Sequence, residues 1–387
     1  MQTTQEHEQI FETTKKFVES ELNPFVKQWE EDGLWPAREV LKKLGDLGLL
    51  GINKPVEVGG QGLDYSYQVA FAEAIGHCSV GALPMAIGVQ TDMATPALTR
   101  YGSDELKRNY LAPAVAGDMV ASVAISEPGA GSDVAAIRTT ARRDGDEWVI
   151  SGSKMWITNG TQADWACTLC VTGDAADSRH ANKSMILVPL DTKGIDRTRK
   201  LDKLGQRSSD TAQIFFDEVR VPARYLIGEP GRGFLYQMQQ FQEERLFIAA
   251  SMLLAMERVL DDTVEYTRQR QAFGQSILDN QVVQFRLAEL KTEVEAVRAL
   301  VYRATDDLVA GRDATLLCSM CKLKSARLAR ELTDACLQYW GGQGYMWESS
   351  VSQFYRDLRL FSIGGGADEI MLGIIAKRLG FGEKRRK

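Results

Sequence analysis

Histidine is nearly missing from this chain. Three occur in 387 residues, His7, His77 and His180, and none sits inside a motif, so a catalytic triad built on imidazole is excluded. Cysteine is scarce too: six thiols in a chain this long make no disulfide framework and fit a reducing cytoplasm. Two CxxC pairs occur. Cys167 and Cys170 lie in WACTLCVTG, a strand pattern, where residues three apart point to opposite faces. Cys318 and Cys321 lie in a helical stretch with no histidine nearby. Both pairs read as small core residues and not as zinc ligands, so no metal is expected. No run approaches the ~18 apolar residues of a membrane span. The N-terminal MQTTQEHEQIFETTKKF has no apolar stretch and is too acidic for a transit peptide, which predicts a cytoplasmic protein. Net charge is −6, with Lys and Arg scattered, whereas a nucleic-acid binder would gather them on one face.

What is present is an ordinary globular composition, 44% hydrophobic and 25% charged, in a chain long enough for two or three domains. Residues 1–118 read as a helical domain. FVESELNPFVKQWEEDG and REVLKKLGDLGLLGI carry apolar residues at three- and four-residue spacing, Ser103 caps a helix, and VGGQGLDYS is a loop. Over 119–228 the period drops to two. MVASVAIS, IRTTARRD, EWVISGSKMWIT, DWACTLCVT, SMILVPL and AQIFFDEVRVP are six short strands broken by turns at Asp144-Gly145 and Asn159-Gly160. They are not separated by helices, so a barrel or sandwich is expected and a doubly wound sheet is not. Residues 229–387 return to helical periodicity as a bundle. Leu287, Leu290, Val294, Val297 and Val301 mark the apolar stripe of one long helix, and the terminal EKRRK reads as a solvated tail.

The chemistry gathers in a few stretches. In SVAISEPGAGSDV a strand runs into Gly129-Ala130-Gly131-Ser132, bare backbone that can press N–H groups against an anion or a flat ring. KMWITNG puts the aromatic face of Trp156 and the hydroxyl of Thr158 in one strand. RQAFG, DNQ, QYWGGQGY and RLFSIGGGADEI follow in that order. Together with LGDLGLLGI and the RSSDTA–FFDEVRVP region, these motifs resemble the acyl-CoA dehydrogenase family of flavoproteins from about residue 5 to residue 380.

That resemblance implies an N-terminal helical domain, a β-domain and a C-terminal four-helix bundle. It implies FAD, an acyl-CoA substrate, a homotetramer built as a dimer of dimers, and electrons passed to an electron-transfer flavoprotein. Carried over by position, Val123, Ile125, Ser126, Gly131 and Ser132 would line the flavin, with Ser132 also near the CoA. Trp156 would cover the ring and Thr158 bond its edge. Arg270, Phe273, Gln281, Gln338 and Gly342 match positions that hold the FAD of a neighbouring subunit, and Ala367 and Glu369 match cofactor contacts after the glycine turn. Phe241, Gln242, Arg245, Gly364 and Gly365 match the substrate site.

One position departs from the pattern. Many family members carry the catalytic Glu where this chain has Gly365. A minority branch, of the long-chain and isovaleryl types, takes its base from an earlier helix that reads Glu-Arg-Leu, and FQEERLFIA offers Glu244-Arg245-Leu246. Spacing puts Glu244 on the stripe of Phe241 and Ile248, while Glu243, backed by Gln239 and Gln240, is expected on a solvated face. Glu244 is therefore the expected base, with a raised pKa. Arg245 either orients the helix or faces the CoA. Gly365 would keep its N–H for the thioester oxygen and leave space above its Cα. Within the family the chain is similar to bacterial citronellyl-CoA dehydrogenases, which suggests a branched or medium-to-long acyl group and an enoyl product. Two other readings stay open: an oxidase of the same fold, and a non-catalytic acyl-CoA-binding protein, which the missing Glu at 365 permits.

Overall fold

In the computed structural model, described over residues 1–173 and 178–381, the chain is helical at both ends with a sheet between. The EKRRK tail lies outside the described residues. Helices α1 (Gln5–Phe17), α2 (Ala37–Asp46), α3 (Tyr65–Ile75) and α4 (Ala82–Gly88) lead the N-terminal part, and α4 runs through a π turn over Val89–Ala94 into Thr95–Tyr101. Amphipathic α2 buries Ala37, Val40, Leu41 and Leu44 on one stripe. The α3 helix is buried nearly all round, from Tyr65 to Ile75, because other helices pack on every side of it. Ser103 caps its helix as expected, accepting from the Leu106 N–H at 3.3 Å.

All six expected strands form: β1 (Ala121–Ala124), β2 (Thr140–Asp144), β3 (Glu147–Thr158), β4 (Trp165–Val171), β5 (Lys183–Pro189) and, after the two-residue β6 (Ile195–Asp196), β7 (Thr211–Pro222). A second two-residue strand, β8 (Leu226–Ile227), pairs with β5. They make one mixed sheet in the order β6-β7-β3-β2-β4-β5-β8, with β1 and β2 sharing one edge of β4. The expected β-domain between two helical parts is present, and its sheet is mixed, with cores on both faces. Strand β4 divides two cores. Cys167 joins one and Cys170 the other, so these thiols do face opposite sides.

The C-terminal part is built on three long helices, α5 (Gly233–Gln269), α6 (Gln281–Val309) and α7 (Thr315–Trp340), followed by α8 (Ser350–Leu358) and α9 (Asp368–Arg378). Leu287, Leu290, Val294, Val297 and Val301 are all buried, as their spacing requires. A hairpin of Gln271–Ala272 and Gln275–Ser276 interrupts the helices. Its turn residues, Phe273 and Gly274, have φ of 53° and 83°, a turn of the I′ kind that helical periodicity does not reveal.

All three parts meet at Asp357 of α8, which is fully buried. Its carboxylate accepts from the Gly81 N–H at 2.8 Å, the Gln206 N–H at 2.5 Å and the Gln353 amide at 2.9 Å. A buried carboxylate is tolerated when its lone pairs are filled in this way.

Candidate active site

Glu244 sits in the N-terminal third of α5, 8% exposed. Burial pushes its carboxyl up to about 7 from the ordinary 4.5, a rise that the charges of Arg245 and Lys322 partly offset. Arg245 is itself buried. Its guanidinium lies 5.5 Å from the centre of the Phe241 ring and its Nε–H has no partner among the described residues. Arg245 thus lies next to Glu244 and against Phe241.

Glu243 corrects the sequence reading. It is buried, not solvated, and its carboxylate is held by Arg100. The reason is that α5 is covered on more than one side. The Gln240 amide bonds the Met93 carbonyl and accepts from the Ala97 N–H, and the Tyr65 hydroxyl bonds the Glu243 carbonyl at 3.0 Å. Adjacent helical residues point about 100° apart. Glu243 therefore meets the N-terminal helices while Glu244 meets the glycine turn.

That turn follows α8. Gly365 and Gly366 have φ of +65° and +99°, a backbone that side chains other than glycine rarely adopt. Among the described residues, neither N–H is taken by a backbone carbonyl. The expected open space above Gly365, however, is filled. A Cβ there would lie 2.7 Å from Ile248 Cδ1, 3.4 Å from Glu244 Oε1 and 3.8 Å from Lys322 Cε. Glycine is favoured at 365 because its φ is positive and Ile248 Cδ1 of α5 already occupies the place of a Cβ, with Glu244 Oε1 in contact beside it. Gly364 is roomier and half-buried.

The loop after β1 is pinned from below. The Glu127 carboxylate accepts from the backbone N–H groups of Arg138 and Thr139 at 2.7 and 2.8 Å, and from the buried Lys154 ammonium at 3.0 Å. Burial alone would push the Glu127 carboxyl up, but Lys154 and these N–H groups hold it below its usual value. Lys154 also bonds the Ile125 carbonyl at 2.8 Å. The Ile125 side chain belongs to the core, so its expected place against a flavin is limited to backbone. Above this support, Gly131 and Ser132 are exposed, Val123 and Ser126 half-buried. Trp156 is 53% exposed at φ 60°. The register of β3 on β7 slips between Lys154 and Ile157, and this bulge turns the indole outward. A Cβ on Gly131 would touch the Trp156 ring at 3.8 Å, so loop and indole form one patch, with half-buried Thr158 two residues on. An exposed aromatic face beside bare backbone and hydroxyls fits a flat cofactor such as FAD.

The remaining candidates lie elsewhere. Arg270 ends α5, Gln281 begins α6 and Gln338 ends α7, all exposed, together with Gly342 and the fully exposed Phe273. Tyr266 stacks on Trp340 with ring centres 4.3 Å apart, which joins the ends of α5 and α7. The rise of α5 from Glu244 to Arg270 puts this end of the bundle about 39 Å from Glu244. Within one chain, the two groups cannot serve the same reactive atoms. Ala367 and Glu369 sit at the start of α9, directly after the glycine turn, and Gln242 is half-buried beside Phe241.

Lys322 is the residue that the sequence reading missed. It is fully buried, and its ammonium bonds the Gly366 carbonyl. The signal was there, since Cys318, Cys321, Lys322, Ser325 and Ala329 fall on one helical stripe and a lysine on an apolar stripe calls for a partner.

Comparison with known proteins covers nearly the whole chain. The family models for the N-terminal, middle and C-terminal domains of acyl-CoA dehydrogenase match residues 4–118, 122–219 and 231–380. The long-chain specific acyl-CoA dehydrogenase of Sus scrofa mitochondria is 38% identical over 376 residues, 97% of this chain and 86% of that protein. The short-chain specific enzyme of Bos taurus mitochondria is 37% identical over 376 residues, 96% of this chain and 90% of that protein. Among solved structures, an acyl-CoA dehydrogenase from Geobacillus kaustophilus superposes with a TM-score of 0.93 at 38% identity, covering 97% of this chain and 98% of that one.

Proposed function

The chain belongs to the acyl-CoA dehydrogenase family of FAD-dependent oxidoreductases, and we propose that Glu244 is its base in oxidising a branched or medium-to-long acyl-CoA to the trans-2-enoyl-CoA. The observation that carries this reading is the meeting of Glu244 with the Gly365 turn, where a buried carboxylate with a pKa near 7 lies against a glycine whose N–H no backbone carbonyl takes among the described residues. The ionised Glu244 takes the proton α to the thioester and holds it on its carboxyl. The Gly365 N–H donates to the thioester oxygen as negative charge develops there, which is the work of an oxyanion hole. Ile248 and Phe241 keep water from the carboxylate, and a basicity near neutral pH suits the transfer. FAD, when bound, accepts the hydride that leaves the β-carbon.

In this reading Ser126, Thr158, Trp156 and the 123–132 loop hold the flavin ring. Ser132, Phe241, Gln242, Arg245 and Gly364 line the acyl-CoA. Arg270, Phe273, Gln281, Gln338 and Gly342 reach the FAD of a neighbouring copy in a homotetramer, and Ala367 and Glu369 flank the cofactor. The distance between the two groups, with Phe273, Tyr345 and Trp347 left exposed, supports a shared site. Electrons would then pass to an electron-transfer flavoprotein. Among the described residues no helix is long and apolar enough to cross a membrane.

The test is an anaerobic screen of flavin bleaching by acyl-CoA thioesters of graded length and branching. Fast bleaching by branched or medium-to-long chains is the expected result. No bleaching by any thioester would overturn the enzymatic reading in favour of a binding protein. Rapid reoxidation by air would favour an oxidase.

A further inference from the structure

Two charged side chains converge on one point beneath the glycine turn. Glu244 Oε1 arrives from α5 and Lys322 Cε from α7, 3.4 and 3.8 Å from the place of a Gly365 Cβ, and the lysine continues to the Gly366 carbonyl. An ammonium has three donors and no acceptor, and it is a compact charge that burial makes costly unless an anion is near. The Gly366 carbonyl is its hydrogen-bond partner among the described residues, and Asp368 and then Glu244 are the anions that act on it most.

We propose that Lys322 is the positioning residue of this base: its ammonium pins the Gly364–Gly366 turn through the Gly366 carbonyl and, with Arg245, favours the anionic form of the buried Glu244. It transfers no proton; the α-proton goes to Glu244 and stays there. The charges around the pair are few. Arg245 on α5 faces Glu244 from its own helix, and Cys318 of α7 neighbours Arg245. Asp368 and Glu369 face Lys322 from α9, and Asp368 is in turn held by Arg327 at 3.2 Å and Arg330 at 3.7 Å. The Glu243–Arg100 pair lies on the other side of α5. Burial presses the Lys322 ammonium down to about 8, so near neutral pH it still carries its charge, which acts on Glu244 across the glycine turn without a direct ion pair among the described residues. Arg245 is the larger of the two charges acting on Glu244, but its guanidinium lies against Phe241, and among the described residues it is Lys322 that bonds the turn.

The inference rests on Glu244 being the base, so its test separates the two. In the FAD-loaded protein without substrate, infrared difference spectra against Glu244→Gln follow the titration of the Glu244 carboxyl. Lys322→Met should raise that midpoint by about one pH unit, and Lys322→Arg should leave it near the wild-type value. In single turnovers, Lys322→Met should bleach flavin about tenfold more slowly near pH 6 and approach the wild-type rate above pH 9. A midpoint that does not move, or a rate loss equal at every pH, overturns the inference. Should Lys322→Met lose FAD, Lys322→Gln keeps a donor for Gly366, and an unshifted midpoint there is equally decisive. Undiminished bleaching in Glu244→Gln itself would instead overturn the assignment of the base.

Discussion

Glu244 Oε1 lies 3.4 Å from where a Cβ on Gly365 would be, so the carboxylate of one segment would touch any side chain placed on the other. In the proposed reading the two positions are alternatives for one job, and Ile248 Cδ1 with the positive φ of Gly365 keeps the turn bare.

Glu244→Gln should keep FAD and bind acyl-CoA but slow flavin bleaching by about a hundredfold or more, in the range of lost acid–base catalysis. A wild-type bleaching rate in stopped-flow would remove Glu244 from the mechanism. The neighbouring Glu243→Gln should leave the chemistry intact and cost stability instead, about 1–3 kcal/mol by denaturant unfolding, because Arg100 loses its anion.

The pH dependence follows from the same carboxylate. Only ionised Glu244 can accept a proton, so bleaching should rise with pH through a midpoint near 7. Stability moves the other way. The folded pKa lies above the unfolded value of about 4.5, so the folded state binds more protons between the two, and stability falls as pH rises through that window by up to about 3 kcal/mol. Glu244→Gln should therefore match the wild type in thermal unfolding near pH 4.5 and exceed it above pH 7. A difference that is flat with pH contradicts the assignment.

Moving the base is harder than the sequence implies. Glu244→Gly with Gly365→Glu restores a carboxylate at the turn, but its Cβ meets Ile248 Cδ1 at 2.7 Å and its φ of +65° costs about 1–2 kcal/mol. The double variant should stay nearly inactive. Adding Ile248→Val deletes the obstructing methyl for about 0.5–1.5 kcal/mol and should recover part of the bleaching rate. Equal recovery with and without Ile248→Val would show that this contact is not the obstacle.

Arg270→Ala should lower flavin content and subunit assembly together, measured by absorbance and by sedimentation, since ligand and partner each stabilise the state they bind. Full flavin content in a stable tetramer would end the shared-site reading.

Much of this was legible in the sequence. Period-two runs marked the six long strands, and the Phe241–Glu244–Ile248 spacing placed Glu244 on an inward stripe of α5, where it is buried. Strands β6 and β8 have two residues each, too few to leave a period. Glu243 was misread because periodicity separates a buried face from a wet one only when a helix has a wet face, and here α5 has helices against both. The Trp156 bulge depends on the register against β7, and the Ile248 contact joins residues far apart in the chain. Neither leaves a local mark in the sequence.

The carboxylate of Asp357 sets a rule for recombination. Three family segments tile the chain as if separable, yet one side chain is shared by Gly81 from the first, Gln206 from the second and Gln353 from the third. A chimaera that imports a foreign middle segment inherits its own loop at 206 and breaks this joint unless that loop also offers its N–H to Asp357. Crossover points belong outside the 201–210 loop, so that the native donor travels with its acceptor.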